Sequence, residues 1–102
     1  MRMLLTGISV SADEALAMGL ASEVVDDAQV QARALEMATL IAAMPPLAVM
    51  QIKEVLLAGQ DASLEAALML ERKAFQLLFD SADQKEGMRA FLDKRKPVYA
   101  GS

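Results

Sequence analysis

Pro45-Pro46 is the feature that most restricts this chain. The pair separates two apolar runs, and from Ala28 to Met44 there is neither Gly nor Pro. Within that run Val30, Ala34, Met37, Ala38 and Ile41 recur at helical spacing, which predicts a helix that the prolines end. Pro46 itself suits the first turn of a following helix, where a missing N–H leaves no bond unmade. That helix is expected from about Pro46 to Ala58, with Val49, Ile52, Lys53 and Leu56 on one face and Ala48 and Val55 beside it. The same break leaves the longest apolar stretch, LIAAMPPLAVMQI, too short to span a bilayer.

Local signals elsewhere also favour helices. MRMLLTG reads as the last turn of a helix that begins elsewhere. Ser11 with Glu14 three residues on forms a capping box, and Gly19 suits the left-handed residue that closes a helix over 12–18. Val24 and Val25 are β-branched, so at most one very short strand is expected near 22–25, stopped by Asp26-Asp27. Ser63 and Glu65 open a helix over 64–80 that is apolar nearly all round, and GQDAS before it is a turn. Ser81 with Gln84 forms a second capping box, Asp83 suits the positive end of the helix dipole, and Met88, Phe91 and Leu92 are expected on the buried face. The fold class expected is therefore mainly α, about five helices in an open bundle forming a single domain over 1–102. Two helices with more than one apolar face exceed what one small core needs, so some of this surface is expected to meet other protein.

Composition narrows the chemistry. The 102 residues are 55% hydrophobic but only 4% aromatic, and the formal net charge is −4. With a pI near 4.7, a nucleic-acid partner is not expected, because phosphate backbones select basic faces. There is no signal-peptide pattern, and the absence of cysteine fits a cytoplasmic protein. With no His and no Cys, the commonest general base, the usual zinc ligands and the thiolate nucleophile are missing, so no metal is expected. Glu14, Glu54, Glu65, Glu71 and Glu86 read as helix caps, first-turn acids or solvated pairs such as Glu71 with Lys73, and no catalytic residue is assigned. Lys85 and Arg89 read as a solvated face.

Three strings share a family resemblance. LLTGISVSADEALAMGLASEVV, PPLAVMQIKEVL and above all ERKAFQLLFDSADQKEGMRAFLDKRKPVY resemble the C-terminal helical part of the enoyl-CoA hydratase/isomerase (crotonase) family, from about Leu4 to Tyr99. That resemblance implies chemistry on acyl-CoA thioesters through an enolate-like transition state, with no tightly bound cofactor. In the family the catalytic carboxylates and the oxyanion-hole amides belong to an αβ core that this sequence does not contain. It further implies a trimer-based homo-oligomer, and contacts to the nucleotide end of CoA at the positions of Phe75, Phe91 and Lys94. An aromatic ring can cover a purine, and an ammonium offers three donors to a phosphate. The residues alone allow a plainer reading: Phe75 and Phe91 at core spacing, and Lys94, Arg95 and Lys96 as cations at a helix C-terminus. Arg95 and Lys96 are expected to be solvated cap charges. The alternative to a segment of such an enzyme is a stand-alone helical interaction module without activity.

Overall fold

The computed structural model describes residues 1–102 and is helical throughout, with no strand. Six α-helices follow one another: α1 (Arg2–Thr6), α2 (Ala12–Ala17), α3 (Val30–Ala42), α4 (Pro46–Gly59), α5 (Leu64–Leu78) and α6 (Ala82–Leu92). A 3-10 turn over Asp27–Gln29 leads into α3. The chain divides into two compact units, Met1–Leu35 and Glu36–Ser102. No single helix is long and apolar enough to cross a membrane.

In the first unit the short-range signals act as expected. Glu14 N–H donates to Ser11 Oγ (3.2 Å) while Ser11 N–H donates to Glu14 Oε2 (2.9 Å), a complete capping box. At the other end of α2, Gly19 adopts φ 74°, and the amides of Gly19 and Leu20 return to Leu16 O (3.0 Å) and Ala15 O (2.8 Å). That pair of bonds is a Schellman turn, which needs a residue with positive φ and finds a glycine. The extended piece near Val24 forms no strand, since a strand needs a second one to pair with and the chain supplies none. Arg33 reaches back to Glu23 at 2.7 Å.

In the second unit α4 packs on α5. Pro46 occupies the first turn of α4, and Ser63 Oγ caps α5 by accepting from Ala66 N–H (3.3 Å). Gly59 brings the two helices close, because a Cβ there would lie 3.3 Å from that of Ala67. The second capping box is only half made. Ser81 Oγ accepts from Gln84 N–H (3.1 Å), but the Ser81 amide turns back to Leu78 O (3.2 Å) instead of reaching the Gln84 side chain.

The buried side of α6 differs from the expected one. Met88, Phe91 and Leu92 are exposed, whereas Asp83 and Ala90 are buried. The cause is the chain end, which doubles back along α6. Tyr99 lies against Gly87, where an added Cβ would come within 3.4 Å of its hydroxyl, and Gly101 reaches Pro46 at the start of α4. Ser102 O accepts from the amides of Ala82 (2.7 Å) and Asp83 (3.3 Å), filling donors that a helix N-terminus leaves open.

Candidate functional site

The polar chemistry of the second unit is gathered on α6 and the chain end. Asp83, 3% exposed, accepts from two backbone amides: Ala100 N–H (2.7 Å) and Gly101 N–H (2.9 Å). Its role is thus larger than a first-turn acid on a helix dipole. One turn along, Glu86 takes the Arg95 guanidinium in a two-pronged pair, with Nη1 at 2.6 Å from Oε1 and Nη2 at 2.9 Å from Oε2. Glu86 Oε1 also accepts from Val98 N–H (2.9 Å). The guanidinium and this amide hold the Glu86 carboxyl down to about 2, well below the ordinary carboxylate range. Arg95 is therefore no solvated cap charge. Its fork matches a carboxylate, and Asp93 Oδ2 lies a further 3.4 Å from its Nε. Lys85 is likewise engaged, donating to Asp80 O at 3.1 Å.

Lys94 sits between these ties in a left-handed conformation, φ 52°. It closes α6 as Gly19 closes α2: Lys94 N–H donates to Phe91 O (3.3 Å) and Arg95 N–H to Ala90 O (3.0 Å). The Lys94 ammonium takes part in none of the ion pairs formed by the neighbouring Arg95. Of the three cations in the Lys94-Arg95-Lys96 run, the middle one is bound by its own chain.

Phe75 is on α5, one helix before that turn along the chain. Its ring meets Phe79 edge-on, centroids 5.0 Å apart at 74°. It borders three grooves, two of them strongly apolar. One, of about 290 Å³, lies between α4 and α5 and is lined by Ile52, Val55, Leu56, Ala74 and Leu78, with Gln51 and Glu71 as the polar residues. The other, of about 360 Å³, runs between Pro45, Ala48, Phe79 and Met88, with Ser81, Asp83 and Gln84 among its walls. Neither Phe91 nor Lys94 lines either groove. The structure thus places Phe91 and Lys94 together at the end of α6 and Phe75 in a separate groove wall. Phe75 is 61% exposed and Phe91 80%, so neither is the core residue its spacing implies. No cluster of acidic side chains that could hold a metal ion is present.

Comparison with known proteins identifies the family. The model of the enoyl-CoA hydratase/isomerase family matches residues 1–102. The chain belongs to the enoyl-CoA hydratase/isomerase family. It is 38% identical to (E)-benzylidenesuccinyl-CoA hydratase of Thauera aromatica over all 102 residues, which make up 40% of that protein. It is also 38% identical to 2,3-dehydroadipyl-CoA hydratase of Escherichia coli K12, with 98% of this chain and 39% of that one covered. Its structure superposes on an enoyl-CoA hydratase subunit I of Geobacillus kaustophilus HTA426 with a TM-score of 0.92 and 42% identity, covering 99% of this chain and 39% of the other. The chain therefore spans about two fifths of the length of the relatives it matches, and it shares their helical part closely.

The residues that sequence reasoning missed are Asp83 and Glu86 as anchors of the chain end. Both stand in the string DQKEG, which carried the most specific part of the family resemblance. Their partners lie between nine and 18 residues away, beyond the reach of helix periodicity.

Proposed function

We propose that this chain is the helical closing part of an enzyme that hydrates or isomerises acyl-CoA thioesters, and that it serves assembly and CoA binding without being catalytic alone. The observation that carries this reading is the uncovered apolar surface of α4 and α5. Leu56, Leu68, Met69, Phe75 and Leu77 are all more than half exposed, although a Leu or Phe side chain gains about 1.5–3 kcal/mol on full burial. Helices that match relatives this closely while leaving such faces open are suited to pack on further protein, from the rest of the fold or from a second copy in a trimer-based homo-oligomer. Proton transfer and oxyanion stabilisation are then supplied by residues outside these six helices.

In this reading Lys94 donates to a phosphate of the CoA nucleotide, and Phe91 and Phe75 give apolar contacts, Phe75 from a different part of the bound molecule's surroundings. Its support is the free ammonium of Lys94 beside an exposed Phe91. The test is a CoA titration of the chain and its Lys94→Ala variant at low and high salt, alongside a crotonyl-CoA hydration assay. We expect no hydration by the chain alone, and CoA binding that Lys94→Ala weakens more at low salt than at high salt. Hydration by the isolated chain, or an affinity that Lys94→Ala leaves unchanged, overturns the reading.

A further inference from the structure

We propose that Glu86 is a positioning residue for Lys94: it holds the turn in which Lys94 presents its ammonium to a phosphate. The inference rests on the reading of Lys94 as a CoA contact, and deepens it. Lys94 has φ 52°, a conformation that disfavours any residue with a Cβ, so the turn must be held by something beyond its own preference. Two backbone bonds close it on the helix side. On the far side Glu86 ties down both the next residue, through the Arg95 guanidinium, and the backbone of Val98. One carboxylate thus fixes the chain immediately after Lys94 while pairing with Arg95, which leaves the ammonium of Lys94, like that of Lys96, outside the ion pairs of the turn.

A charge argument and a positioning argument predict opposite signs for the same substitution. Glu86→Gln removes a negative charge near the anion site, which by Coulomb attraction alone would tighten binding of CoA. Positioning predicts the reverse, because a smaller share of molecules then holds Lys94 ready and the apparent affinity falls with that share, about three- to tenfold. Arg95→Lys leaves the net charge untouched but loses the two-pronged grip, so it is expected to weaken binding in the same direction.

The test is an NMR titration of the 102-residue chain with CoA, comparing the unmodified protein with Glu86→Gln, Arg95→Lys, Lys94→Ala and the Glu86→Gln/Lys94→Ala pair. Weaker binding in Glu86→Gln and Arg95→Lys, with the double variant no weaker than Lys94→Ala, supports the inference, since Glu86 then acts only through Lys94. If Lys94→Ala loses affinity while Glu86→Gln binds as well or better, the inference falls and the Lys94 contact stands. If Lys94→Ala changes nothing, the contact itself falls, and the role of Glu86 with it. Should Glu86→Gln lose its helical circular dichroism, Arg95→Lys decides: unchanged CoA affinity there overturns the inference.

Discussion

Two parts of the second unit are built from opposite materials. α6 and the chain end that lies along it are joined by polar bonds made within the chain, through the Asp83 and Glu86 carboxylates, the Arg95 fork and the carbonyl of Ser102. α4 and α5 instead meet each other along one side and leave Leu56, Leu68 and Leu77 exposed on others. The two carboxylates and the Arg95 fork of the first region find their partners within the chain. The second has no such closure, because apolar area gains only when other apolar area covers it. The comparison teaches that the chain end is held by bonds made within the chain, while the helical faces of α4 and α5 are left open.

The largest expected effect breaks the self-contained region. Asp83→Ala leaves the amides of Ala100 and Gly101 without their charged acceptor in a buried place, and should cost about 3 kcal/mol. Chemical denaturation measures the loss, and amide exchange should show Ala100 and Gly101 losing protection before the α4–α5 amides do. Equal loss in both regions would mean that the two are not independent.

The two Schellman turns give a matched pair of smaller effects. Gly19→Ala forces a Cβ into φ 74° and should destabilise the first unit by about 1 kcal/mol. Lys94→Gly relieves the same strain at φ 52° and should stabilise the chain by about 1 kcal/mol, while abolishing the salt-sensitive response to CoA. Thermal melts read the first quantity and titrations the second. A Lys94→Gly variant that is less stable would show that the lysine side chain itself supports the turn.

The smallest effect concerns acid. Glu86 titrates near 4.5 when unfolded and at about 2 in the folded chain, so between those values the unfolded state takes up a proton that the folded state does not. The pair's contribution is therefore fully present above about pH 4.5 and is lost as pH falls towards 2. Hydrogen bonds from Ser11 lower the Glu14 carboxyl in the same direction. Stability followed against pH should show a shallower decline in Glu86→Gln than in the unmodified chain; identical curves would detach Glu86 from the acid response.

Much of the helical framework could be read from the sequence because its signals are local. The Ser11–Glu14 box, Pro46 at a first turn, the Ser63 cap and the Gly19 turn all depend on residues within a few positions of one another. The family likewise was legible from its strings. What could not be read was the return of the chain along α6, since it joins Asp83 to residues 17 and 18 positions on. Missing that return misplaced two things at once: the buried face of α6 and the fate of Arg95. The sequence singles out Phe75, Phe91 and Lys94 without regard to where they lie, and the structure separates Phe91 and Lys94 at one turn from Phe75 in its groove.

The account turns on the claim that the α4–α5 faces exist to be covered by protein. The most direct test is the weight-average mass of the chain by sedimentation equilibrium from micromolar to millimolar concentration. The account predicts a mass that climbs above 11.0 kDa as concentration rises, and falls back when Leu56 and Leu77 are both replaced by Glu. A mass fixed at 11.0 kDa across the whole range would contradict it.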